Sequence, residues 1–272
     1  MKDSMTEEQY IVALKNNPHG IRNIPNPTEG MQLACVEQNG MLLQYIKNPT
    51  DRVIETALTQ SPRAIQYVEN PSDKLLIALV KQDWAVLEYI QYPSDEVIRI
   101  ALEQSGWAIR YIKNSSEELQ LTAVRKQYDA LQYIANPSDR VKMAAVESNY
   151  LALRYIPQPT VDILKAAVLQ NPQAMRQITD LDLNTVVELL KVSTLILGYV
   201  PKQLGLTVDM VRNIIIEMIA NPAVEARYVR ELVSNPVIGG RQSTWPIDIL
   251  LLVDVYGSIQ AKKIAIDQYL LY

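Results

Sequence analysis

Few residues in this chain could perform chemistry, and their spacing says more than their identity. Histidine and cysteine each occur once, at His19 and Cys35. A general base, a metal ligand or a thiol nucleophile needs partners that orient and polarise it, and no acidic or thiol partner stands beside His19 in the sequence. Cys35 occupies a small position filled elsewhere by Ala57 and Ala101, which reads as a buried, inert thiol. Glu29, Asp51, Asp73, Asp95, Glu117 and Asp139 recur at an interval of 22 residues and could be drawn as a carboxylate ladder for cations. Acids in the first turn of a helix already complement its dipole, so a structural role accounts for them. Glycine is scarce, and Gly239-Gly240 lacks the strand and the lysine of a phosphate-binding loop. The expectation is a protein that is not an enzyme and that carries no cofactor and no metal.

The aromatic residues carry a stronger signal. Tyrosine recurs at the same interval of 22 at Tyr45, Tyr67, Tyr89, Tyr111, Tyr133 and Tyr155, and returns in phase at Tyr199 after Gln177 interrupts. Packing of each ring between layers, with the hydroxyl at the surface, explains the stripe structurally. A second set, Trp84, Trp107, Tyr128 and Tyr150, places large side chains at or beside a corner where glycine or proline would suffice for folding. Tyr92 stands in a loop in place of a capping Asn, and Arg110 and Arg154 directly precede two of the tyrosines. Tyr, Trp and Arg are the usual anchors of protein interfaces, so Trp84, Tyr92, Trp107, Arg110, Tyr128, Tyr150 and Arg154 are the candidate partner-binding residues, across 84–155. Aromatic residues beside arginine are also how single-stranded nucleic acid is held.

A fixed period of this size is the mark of stacked repeats. Asn48-Pro49-Thr50-Asp51, Asn70-Pro71-Ser72-Asp73 and Asn136-Pro137-Ser138-Asp139 each open a helix. The cap is either the Asn with Pro at the first helical position, or the Ser/Thr with the acid just inside, and the pattern leaves both registers open. Val53, Ile54, Ala57 and Leu58 share one face of a helix of about ten residues. It ends at a breaker such as Asn39-Gly40, Ser61-Pro62, Ser105-Gly106 or Asn171-Pro172, from which a second helix of about seven residues runs to the tyrosine. Helices this short are unstable alone, so each must bury its apolar stripe against its neighbours. The predicted fold is all-α, an α-solenoid of about eight helix-turn-helix repeats over 1–200, followed by a helical C-terminal region, 201–272, packed on the last repeat.

With 48% hydrophobic residues the chain can build a continuous core. A net charge of −4 and a pI near 5.2 argue against general affinity for polyanions. No apolar run is long enough to span a bilayer, so the chain reads as soluble and cytoplasmic.

Asn39-Gly40-Met41-Leu42-Leu43-Gln44-Tyr45 and Ser105-Gly106-Trp107-Ala108-Ile109-Arg110-Tyr111 resemble the short two-helix repeats of unknown function found in bacteriophages, large DNA viruses and some bacteria. The likeness covers roughly residues 6–200. It departs from the pattern where Pro62, Pro172, Trp84, Tyr128 and Tyr150 replace the glycine. The resemblance implies a helical repeat and a viral origin, and it carries no catalytic residues. The function expected is a protein-binding scaffold, phage-encoded, that blocks or redirects a bacterial defence or gene-expression factor. A nucleic-acid-binding solenoid and an assembly component of a virus particle, self-associating through the C-terminal helices, are the alternatives.

Overall fold

The computed structural model describes residues 5–239 and 243–270; Gly240, one half of the Gly-Gly loop, and Tyr272 lie outside them. Among the described residues the protein is helical, with a single isolated bridge between Ile238 and Trp245. Nine α helices each lead into a short 3₁₀ helix, one more pair than the roughly eight repeats expected. The α helices are α1 Glu7–Asn16, α2 Glu29–Val36, α3 Asp51–Gln60, α4 Asp73–Gln82, α5 Asp95–Gln104, α6 Glu117–Lys126, α7 Asp139–Ser148, α8 Val161–Gln170 and α9 Leu183–Leu190. Four more follow the repeats: α10 Val208–Ala220, α11 Ala226–Val233, α12 Ile249–Tyr256 and α13 Ile259–Tyr269.

The structure chooses between the two capping registers. Thr28, Thr50, Ser72, Ser94, Ser138 and Thr160 are the N-caps, each accepting from the backbone N–H of the third helical residue. Asp51, Asp73, Asp95 and Asp139 are then the first residues of their helices, where the dipole favours them. The Asn of the block is not a cap. Asn48, Asn70, Asn114 and Asn136 sit at φ between 48° and 53°, and a short side chain that bonds locally makes this left-handed turn tolerable. Tyr92 holds the same position without adopting that conformation.

The second element is a 3₁₀ helix of six residues in most repeats, tighter than the helix expected. Its start is chemical. In most repeats the residue just before the 3₁₀ helix is extended, and at Asn39, Asp83, Asn149 and Asn171 its side chain accepts from the N–H two residues on, closing the first 3₁₀ turn. At three residues per turn the buried positions fall three apart, as with Leu43 and Ile46.

The chain forms two compact units, 1–126 and 127–272, divided between α6 and the 3₁₀ helix that follows it. In the first unit α1 packs on α2, α2 on α3, α4 on α5 and α5 on α6. Small residues decide how closely. Gly40 opens the 3₁₀ helix Gly40–Tyr45, and a Cβ there would lie 2.1 Å from the carbonyl oxygen of Ala57, so this segment and α3 meet backbone to backbone. At the next junction Pro62 replaces glycine and Leu79 replaces the small residue, and α4 packs closely on neither α3 nor the Pro62–Tyr67 segment. Those two repeats meet through their 3₁₀ helices instead. Cap hydroxyls add polar ties between layers, Thr28 donating to Glu7 at 2.5 Å and Thr50 to Glu29 at 2.6 Å.

In the second unit α7 packs on α8 and α8 on α9, and the C-terminal helices fasten to the last repeat. Ser193, fully buried, donates to Glu231 of α11 at 2.8 Å, and Asn235 donates to the backbone oxygen of Thr194 at 2.9 Å. Burial, with Glu217 and Glu231 adding to it, pushes the Tyr228 phenol upward, so it stays neutral inside this contact. No helix among the described residues is long and apolar enough to cross a membrane.

Candidate functional surface

In most of the six-residue 3₁₀ helices the third and fourth residues are the buried pair, such as Ala64 and Ile65 or Val86 and Leu87, leaving the second, fifth and sixth more open; the first is half-buried where it is Trp84 and buried where it is Gly40 or Gly106. Stacking these helices brings position one of a repeat to position five of the next, 26 residues on. Trp84 and Arg110 stand in that relation, with the guanidinium 5.6 Å from the indole centroid. Arg110 also lies 4.6 Å from the ring of Tyr111 and donates to its hydroxyl. The Trp84 and Tyr111 rings are 6.3 Å apart. One repeat earlier Arg63 repeats the offset, 5.6 Å from the Tyr89 ring. Each such contact contributes about 0.5–1 kcal/mol at an exposed site, and together they hold an arginine in one orientation before any partner arrives.

Beside this cluster, between the repeats of Ile65 and Leu76, lies a groove of about 590 Å³. Ile65, Val68 and Leu76 give it an apolar lining, and Asn70, Pro71, Tyr89 and Tyr92 complete it. Tyr92 is 91% exposed, the most open aromatic among the described residues. The equivalent groove four repeats on holds about 330 Å³, with Gln177 where Tyr89 stands and Asp180 where Tyr92 stands. Two aromatic walls therefore distinguish the first groove.

Of the seven residues singled out in the sequence, the structure brings Trp84 and Arg110 together, puts Tyr92 in the adjoining groove and leaves Trp107 36% exposed on the same 3₁₀ helix as Arg110. Tyr128, Tyr150 and Arg154 belong to the second unit, where the two tyrosines are half-buried and Arg154 is exposed. Residue type alone does not mark Arg63. The signal that finds it is the 26-residue offset to Tyr89, one repeat plus one helical step. In the second unit Arg176 lies 5.2 Å from the ring of Tyr199.

Cysteine, histidine and the first-turn acids show little preparation for bond-making chemistry. Cys35 is fully buried, and that burial pushes its thiol up to about 11; it stays protonated and shielded. His19 is exposed. The first-turn acids serve helix starts and inter-repeat ties, and no group of three or more His, Cys, Asp or Glu among the described residues is placed to hold a metal ion.

The architecture is an all-α, solenoid-like helical repeat with an aromatic and arginine surface on its first unit. In comparisons with protein-family models, curated proteins and solved structures, nothing matches this chain.

Proposed function

We propose that the protein is a non-enzymatic scaffold that binds another protein through the surface of residues 63–111. The observation that carries this reading is the Arg110 guanidinium held against Trp84 and Tyr111, beside a groove walled by Tyr89 and Tyr92. Trp, Tyr and Arg dominate interface energetics, and side chains already held in place lose less entropy on binding. The resemblance of the 22-residue unit to phage and viral repeats extends the proposal: a phage-encoded protein acting in the host cytoplasm, occupying a bacterial defence or gene-expression factor.

The test is side-by-side affinity capture from a host lysate with the wild type and a Trp84→Ala/Arg110→Ala protein of unchanged helical circular dichroism. A stoichiometric partner held by the wild type and weakened roughly thirtyfold or more in the variant, about 2 kcal/mol, supports the reading. Equal retention by both proteins refutes it.

A second reading has a specific observation in its favour. Arg63, Arg110 and Arg176 each stack on an aromatic ring, and arginine with exposed rings is also a platform for single-stranded nucleic acid. The overall charge of −4 opposes it.

A further inference from the structure

The C-terminal helices expose a surface that does not belong to the aromatic cluster. α12 is apolar around its whole circumference, with Asp254 its one charged residue. A helix of that kind belongs inside a core, yet burial reaches Ile249, Leu252 and Val253 alone. Leu250, Leu251, Val255 and Tyr256 are between 47% and 57% exposed. The adjoining α13 packs on α11, burying Ala261 and Ala265, and turns Ile259, Ile266, Tyr269 and Leu270 to solvent, from 59% to 89% exposed. Between the helices a cavity of about 210 Å³ opens over Val253 and Ala265, with Asp254 on one rim and Lys262 on the other.

Monomers rarely leave more than a few hundred Å² of contiguous apolar surface uncovered. These eight large side chains together reach the order of the roughly 800 Å² per partner that a stable complex buries. We propose that α12 and α13 form the interface of a two-fold homodimer.

Charge argues for a second copy as the occupant. The chain carries −4 overall, whereas α12 and α13 carry two acids, Asp254 and Asp267, and two lysines, Lys262 and Lys263. Two copies therefore meet here without net repulsion. A two-fold axis makes every contact reciprocal, and with the axis beside the cavity that Asp254 and Lys262 line, Asp254 of one copy would pair with Lys262 of the other, twice, while the cavity takes an aliphatic side chain from the facing helix. Within one chain Asp254 and Lys262 form no ion pair among the described residues, which leaves both for this use.

The experiment is sedimentation velocity on the full chain over about 1 to 100 µM, where mass action makes association visible. The expected result is a reversible monomer–dimer equilibrium. Leu251→Glu/Ile266→Glu, at two exposed positions, stays monomeric across that range with unchanged circular dichroism. Asp254→Lys and Lys262→Asp each weaken the dimer about fivefold or more, and the two together restore it to within about twofold. A wild type that is monomeric throughout, a dimer indifferent to the double glutamate change, or a charge swap without restoration overturns the proposal.

Discussion

Replacing Gly40 with alanine tests the claim that backbone contact sets the spacing of the repeats. The added Cβ would lie 2.1 Å from the Ala57 carbonyl oxygen, 3.0 Å from its carbon and 3.1 Å from Gln60 Oε1. The first two atoms are backbone in the middle of α3 and cannot swing aside. An ordinary carbon–oxygen contact requires the layers to separate by about 1 Å or more, and overpacking of this kind costs about 1–3 kcal/mol. Separation also breaks the side-chain clamp at this joint, in which Gly40 N–H donates to Gln60 Oε1 at 2.6 Å and Gln60 Nε2 donates to the Gln38 carbonyl at 3.4 Å. Losing those bonds adds about 0.5–1.5 kcal/mol each, against about 0.5–1 kcal/mol returned by alanine's smaller backbone entropy. The expected net loss is about 2–4 kcal/mol. Cys35 in α2 reports it directly, since its shielded thiol is labelled when the local structure opens; labelling accelerates roughly thirtyfold or more. Gly30→Ala is the control, because its Cβ meets the ends of the Glu7 and Ile11 side chains at 3.2 and 3.3 Å, which can move. Gly40→Ala within about 0.5 kcal/mol of the wild type refutes the reasoning.

Thr50→Ala is expected to cost more than Ser72→Ala, about 1–2 against about 1 kcal/mol in urea unfolding, because Thr50 caps α3 and also ties it to Glu29. The difference should vanish when Glu29 is alanine. Asn70→Ala should lose about 1 kcal/mol through its left-handed backbone and Asn70→Gly almost nothing, measured by the same unfolding curves. Hydrogen bonds from Lys165 and then Lys191 hold the Glu188 carboxyl below the usual range. Its stabilisation is therefore complete above the unfolded value of about 4.3 and is lost as pH falls through the lower folded value. Thermal melts should show wild type above Glu188→Gln near neutral pH and the two converging in acid, and a gap that persists there counts against the assignment. Titrations with single-stranded oligonucleotide should show no binding that declines steeply with salt; such a decline would favour the nucleic-acid reading over a protein partner.

The period of 22, the helix-opening block, the breaker and the apolar pairs are short-range properties, and they specify an all-α repeat without reference to anything distant in the chain. Thr207 and Asn221-Pro222 likewise bracket α10, Val208–Ala220, in the sequence as in the structure. The capping register was not legible locally, because Asn-Pro and Ser-Asp are both good helix starts; the folded chain uses the Ser/Thr cap and leaves the Asn to make the turn. The second helix was legible as an element but not as 3₁₀, since repeats whose first turn is closed by a side chain, as at Asn39, and repeats without that bond, as at Ser61, adopt it alike. Among the candidate site residues, sequence supplied Trp84, Arg110 and Tyr92 as types worth watching. Their assembly with Arg63, Tyr89 and Tyr111 depends on which positions of neighbouring repeats touch, an offset fixed by packing distance. The groove between Ile65 and Leu76 arises the same way, from residues of neighbouring repeats that stacking brings to one surface. Chain order set what the units are; the spacing between layers, governed by one side chain's bulk against another's backbone, decided which residues meet and where the surface opens.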